Sequence, residues 1–162
     1  MSDPNFYNYG DIKLGRGSFD SPPVLIGTIF YQDQTLVNRK NPETFDERKA
    51  LKRINTQIAL SSQYKIPNLI EISATTPKAM IKYLEFYITN FDQPFVLGGN
   101  IESRLAGIEY LTEQGIKPDH FIYNTVSNLK NKQEIEVLQK QKIKSVVILI
   151  LGSTRCPTLP LK

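Results

Sequence analysis

Apolar positions in this chain fall into short continuous runs separated by longer stretches at helical spacing. Residues 95–97 (FVL) form such a run, which stops at Gly98-Gly99-Asn100. Leu105, Ile108 and Leu111 then recur at helical intervals before Gly115, and residues 120–127 read as the next strand. A connection of this length makes the two strands parallel, so side chains at their C-terminal ends share one rim. Asn100 and Asn124 are predicted on it. The same alternation recurs on both sides. Residues 24–31 (VLIGTIFY) predict a strand buried on both faces, with Gly27 marking a close approach. A polar loop over 32–43 follows, either a binding element or a surface excursion. Thr44 and Glu47 form a capping box for a helix with a Leu51, Ile54, Ile58 stripe, and Arg48, Lys52 and Arg53 point outward from it.

Residues 68–74 (NLIEISA) alternate with period two, placing Leu69, Glu71 and Ser73 on one face and Ile70 and Ile72 on the other. A glutamate between isoleucines is expected either beside a cavity with hydrogen-bonding partners or on an exposed edge strand. Thr76 and Pro77 start a helix whose stripe is Ile81, Leu84, Ile88 and Phe91. After Asn128 comes a lysine-rich helix with Ile135 and Leu138 inward, then a fifth strand over 145–151 (SVVILIL). Residues 1–23, rich in Asp, Asn, Gly, Ser and Pro, are expected to cap one end, with an alternating piece at Ile12-Lys13-Leu14.

Strands starting near 24, 68, 95, 121 and 145 pace the chain as (β/α) units, about one per 25 residues after the first. No glycine-rich phosphate turn follows the first strand, as a doubly wound dinucleotide fold would require. The fold class expected is therefore α/β with TIM-barrel-type units: about five parallel strands over residues 24–162, a partial (β/α)8 barrel. A closed eight-fold barrel needs about 250 residues.

Composition narrows the functions open to such a fold. With 162 residues and 40% hydrophobic content the chain can bury a core. The net charge of +4 is spread without a run of like charges, which argues against nucleic acid as a partner. One cysteine, Cys156, and one histidine, His120, provide neither an internal disulfide nor a metal site, and a reducing, cytoplasmic setting is expected. His120 falls at the start of its strand, away from the rim, where a structural role is expected. No signal-peptide pattern or membrane-length apolar run is present in the sequence.

A family resemblance adds to this reading. The pieces that carry it are residues 10–15 (GDIKLG), 23–31 (PVLIGTIFY), 45–46 (FD), 76–83 (TPKAMIKY), 94–97 (PFVL) and 122–125 (IYNT), in order and at matching spacing. The chain resembles the N-terminal part of the H subunit of tetrahydromethanopterin S-methyltransferase, and more distantly the methyltetrahydrofolate:corrinoid methyltransferases. What the resemblance implies is a methyltransferase of methanogenesis and one-carbon metabolism. Its substrate would be a methylated tetrahydropterin (tetrahydromethanopterin or tetrahydrofolate), and its acceptor a corrinoid (cobalamin) on a partner protein. The partners implied are a corrinoid-binding protein or other methyltransferase complex subunits. A second copy or a complementing chain would supply the absent strands, and the setting would be cytoplasmic or peripheral to a membrane complex.

The pterin ligands expected are Asn124, which matches the family's Tyr-Asn-Ser/Thr stretch, with Asn100, Glu71 and Ser73 as further candidates. Two departures stand out: Gly98-Gly99 occupies the place of an Asp-Ser pair, and Gln32, Asp33 and Gln34 replace histidines that follow the first strand. The alternative reading is a truncated or degenerate non-catalytic paralogue acting as a binding or assembly module.

Overall fold

A computed structural model describes residues 6–9, 12–15, 23–31, 35–126 and 131–148. Two short strands, β1 (Phe6–Tyr9) and β2 (Ile12–Gly15), form an antiparallel hairpin. The rest alternates strand and helix: β3 (Leu25–Ile29), α1 (Glu47–Tyr64), β4 (Asn68–Ala74), α2 (Pro77–Asn90), β5 (Phe95–Gly99), α3 (Ile101–Glu113), β6 (Phe121–Val126), α4 (Lys132–Lys140) and β7 (Val146–Ile148). The five later strands form one parallel sheet whose spatial order follows the chain, β3-β4-β5-β6-β7. This is an α/β sheet with four crossover helices, consistent with part of a (β/α) barrel.

All four helices pack on the same face. Ile70, Ile72, Phe95, Leu97, Phe121 and Tyr123 from the strands join Ala50 and Ile54 of α1, Met80, Tyr83 and Leu84 of α2, Ile108 and Leu111 of α3, and Leu138 of α4 in one buried core. Each large side chain buried there contributes about 1.5–3 kcal/mol of transfer free energy. Gly107 lets α3 approach Leu97, Met80 and Leu84, since an added Cβ would stand 3.1–3.3 Å from them. An aromatic group fills the β3 end: Phe30 stacks on Tyr83 at 4.3 Å, with Phe45 and Phe86 edge-on. The Tyr83 hydroxyl donates to the Pro42 carbonyl, and burial pushes its phenol up to about 12.

Among the described residues the other face carries no helix. Its lower part is covered by the hairpin, where Tyr9 packs with Leu69, Val96 and Ile122, flanked by Ile12, Leu14 and Val24. The hairpin lies against the N-terminal ends of the central strands. Residues 1–5 and 149–162, with the end of the expected fifth strand and Cys156, lie outside the described residues.

Three local expectations are corrected. The first sheet strand is an outer strand: Leu25 and Ile26 are more than half exposed, because among the described residues no strand pairs with its outer edge. Asp46, not Thr44, caps α1 by accepting from the Lys49 amide at 3.0 Å. Glu47 is the first helical residue, so Thr44 lies too early. The loop after β3 is less polar in space than in sequence. Leu36 and Val37 are buried, and Val37 bridges Phe45. The cap at Thr76 is as expected, accepting from Ala79 at 3.2 Å.

Candidate active site on the open face of the sheet

Register decides which polar side chains meet. Thr28 of β3 lies opposite Glu71 of β4, Glu71 opposite Val96 of β5, and Val96 opposite Ile122 of β6. Two positions further along, Ser73 lies opposite Gly98. Since alternate residues share a face, Thr28, Glu71, Ser73, Gly98 and Asn124 all belong to the helix-free face, beyond the part that the hairpin covers.

Glu71 is the centre of this group. The Asn124 carboxamide donates to its Oε1 at 2.7 Å, and the Thr28 hydroxyl donates to its Oε2. Neither donor carries a charge, and no cation among the described residues lies within ion-pair reach of the carboxylate. Each carboxylate oxygen keeps a further acceptor position. Glu71 is half-buried on an inner strand, so of the two places expected for it the fold excludes the exposed edge, and its carboxylate has hydrogen-bonding partners.

Gly98 makes room for the carboxylate. A Cβ added at Gly98 would collide with the Glu71 carboxylate. Gly99 has a different reason: its φ of +97° and its approach to the Ala74 backbone both exclude a side chain.

An open cavity of about 410 Å3 lies on this face. It is lined by Tyr9, Leu14, Ile26, Val96, Ile122 and Asn124, with residues 144–147 at its far wall. Its lining is more apolar than polar, with Asn124, Lys144 and Ser145 as polar members, a make-up usual for a small-molecule site. A larger groove of about 800 Å3 runs between β3 and α1. It lies on the outer flank of the sheet, away from Glu71 and Asn124, and is mostly apolar.

The four sequence candidates therefore separate. Glu71 and Asn124 are joined directly, and Ser73 shares their face. Asn100 stands apart as the N-cap of α3, where Oδ1 accepts from the Ser103 amide at 2.8 Å and Nδ2 donates to the Thr75 carbonyl at 2.7 Å. Both ends of its carboxamide are engaged. Thr28 was not foreseen, since it lies inside an apolar run; only its register with Glu71 reveals it. His120 packs edge-on to Phe95 at the opposite end of β6.

Behind the strand ends lies a buried polar group that the sequence did not signal. Arg104 Nη2 pairs with Glu134 Oε1 at 2.9 Å, and the Tyr123 hydroxyl donates to the same oxygen at 2.6 Å. The guanidinium also lies over the Tyr123 ring at 4.9 Å. Burial, and then the bond to Glu134, raise the Tyr123 phenol well above its ordinary value. Among the described residues no group of His, Cys, Asp or Glu is arranged to hold a metal ion, and no helix is long and apolar enough to cross a membrane.

Comparison with known proteins gives one family. Residues 3–158 match the family model described as "Tetrahydromethanopterin S-methyltransferase MtrH subunit". The H subunit of tetrahydromethanopterin S-methyltransferase from Methanothermobacter marburgensis is 35% identical over 138 residues, covering 85% of this chain and 44% of that protein. The Methanosarcina mazei protein of the same name is 29% identical over 152 residues, 91% of this chain and 47% of that protein. The H subunit of the putative methyltransferase mtx from Methanosarcina barkeri is 34% identical over 145 residues, 88% of this chain and 46% of that protein. The chain spans a little under half the length of these relatives.

Proposed function

From the premise that this chain belongs to the tetrahydromethanopterin S-methyltransferase MtrH subunit family, we propose that it forms part of a (β/α)8 barrel whose open face binds a methylated tetrahydropterin substrate. The methyl group then passes to a corrinoid carried by a partner protein. The observation that carries the reading is the Glu71–Asn124 hydrogen bond on the open face, with Asn124 lining a largely apolar cavity.

The residue types suit this chemistry. A pterin presents a row of ring N–H donors and a carbonyl acceptor along one edge. The Glu71 oxygens have acceptor positions left for the donors, and the Asn124 amide and Thr28 hydroxyl hold the carboxylate in place. The corrinoid supplies the nucleophile, so this chain needs none of its own. As the methyl carbon leaves, the C–N electron pair stays on the ring nitrogen, which takes up a proton from water. The protein's contribution is orientation and a fixed negative charge near the nitrogen that becomes basic.

Glu71 also answers the departure at Gly98. The resemblance places a carboxylate after the third strand; here Gly98 has no side chain, and the Glu71 carboxylate lies against the vacated position. Glu71 thereby takes over the role from the adjacent strand. Ser73 adds a hydroxyl on the same face, and Asn100 contributes by holding the start of α3.

The two outer edges of the sheet, unpaired among the described residues, support a partnered assembly. Leu25 and Ile26 on β3 and Val147 and Ile148 on β7 are exposed apolar residues at its two ends, suited to further (β/α) units from a complementing chain or a second copy. Contact with other methyltransferase subunits would hold the protein on the cytoplasmic side of a membrane complex. The same edges favour the second reading, a non-catalytic assembly module.

Calorimetric titration of the assembled protein with a methylated tetrahydropterin separates the two readings. Binding is expected, and Glu71→Gln is expected to weaken it about tenfold, the worth of one charge-assisted hydrogen bond, with an unchanged melting temperature. No binding by the wild-type assembly, or equal binding by the variant, would overturn the pterin reading.

A further inference from the structure

The ladder between β5 and β6 is short. It pairs Phe95 with Phe121, Val96 with Ile122 and Leu97 with Tyr123, and goes no further. On its other side β5 stays paired with β4 as far as Gly99. The next positions in register across the gap are Gly98 beside Asn124 and Gly99 beside Thr125, and of these Gly98 and Asn124 belong to the site.

Arg104 spans that gap. From α3 its Nη1 donates to the Gly99 carbonyl, and its Nη2 donates to the Thr125 carbonyl at 2.9 Å. The planar fork of a guanidinium suits two such acceptors held apart at a set distance. Glu134 holds the fork from α4, and the Tyr123 hydroxyl shares the same carboxylate oxygen. Asn124 therefore lies between two anchored neighbours, Tyr123 by its hydroxyl and Thr125 by its carbonyl, and its carboxamide is directed at Glu71.

Stability alone does not explain this arrangement. A buried ion pair is often matched or bettered by apolar residues of similar size. Here Arg104 Nε, Glu134 Oε2 and Ser103 Oγ are buried without a partner among the described residues, which adds to the desolvation cost. Apolar replacements would fill the space but would have no donors for the two carbonyls.

We propose that Arg104, held by Glu134, is a positioning residue that replaces the missing β5–β6 ladder and fixes Asn124 against Glu71. Its effect on ligand affinity rests on the pterin reading above; its effect on Asn124 does not.

The test compares Arg104→Lys, which keeps the charge opposite Glu134 but cannot reach both carbonyls, with the double variant Arg104→Met/Glu134→Leu, which keeps an apolar core. In 15N-labelled protein the Asn124 side-chain amide signals are expected to move toward free-amide values and exchange with solvent about tenfold faster in both, at near wild-type melting temperature. Affinity for a methylated tetrahydropterin is expected to fall about tenfold as well. Unchanged Asn124 signals in either folded variant would overturn the proposal. So would failure of Arg104→Lys to fold, since the residue would then be structural. If the wild-type protein does not bind the pterin, the pterin reading fails while the Asn124 signals still decide this one.

Discussion

Glu71 and Glu134 are carboxylates on opposite sides of one sheet, in contrasting surroundings. Glu134 is fully buried on the helix-covered side and meets a guanidinium and a phenol. Glu71 is half-buried on the open side and, among the described residues, meets an amide and a hydroxyl but no cation. A carboxylate shut away from water needs a cation close by, or it is too costly to keep. One that has only neutral donors must stay in reach of water, and so in reach of a ligand. On the readings proposed above, the contrast separates a carboxylate that holds the site in place from one that meets the ligand.

The contrast breaks most sharply by removing Glu134. Glu134→Ala leaves Arg104 buried without its counter-charge and is expected to destabilise the fold by about 3–5 kcal/mol, read by urea denaturation. Cost near zero would mean that the cluster is hydrated and the two sides are less different than their burial implies.

A smaller effect is expected on the open side. Gly98→Ala places a methyl group where the Glu71 carboxylate lies. The flexible end of Glu71 yields first, so stability falls by only about 1–2 kcal/mol while the Asn124–Glu71 hydrogen bond is lost, visible as a shift of the Asn124 amide signals. Unmoved signals would show that Gly98 does not control that carboxylate.

The smallest effect concerns how dry the helix-covered side is. Tyr83 keeps its proton up to about pH 12 when folded, against 10.0 for the unfolded residue. Its contribution is full below pH 10 and declines as pH rises from 10 to about 12, because the unfolded chain releases the proton first. Tyr83→Phe should remove that part of the alkaline slope at a neutral-pH cost of about 1 kcal/mol. An unaltered slope would place the phenol in contact with water.

Some of this was legible in the sequence. Strict alternation over 68–74 delimited β4 and put Glu71 and Ser73 on one face, and the Thr76-Pro77 pair marked the start of α2. Both signals are local, fixed by backbone period and by cap chemistry. The core-facing side of α2 was legible only in part: Leu84 is buried as expected, but Met80, Tyr83 and Tyr87 carry most of the packing. Tyrosines read as amphipathic in sequence and become core only when neighbours cover them. The Arg104–Glu134 pair was not legible, since its members are 30 residues apart on two helices and each resembles an ordinary surface charge. The exposure of β3 could not be read from its own residues either. An apolar run shows that a strand wants covering; the neighbouring strand decides whether it is covered.

That outer strand has a consequence for any measurement on the isolated chain. Leu25, Ile26 and Tyr31 are each more than half exposed, and Leu60 and Tyr64 of α1 continue the same apolar strip. On the assembly proposed above, part of the stabilising free energy is held in reserve for the contacts this strip makes with a further polypeptide surface. By mass action the denaturation midpoint should climb as protein is concentrated or as such a surface is added, so a single dilute melting curve would understate how stable the molecule is when assembled.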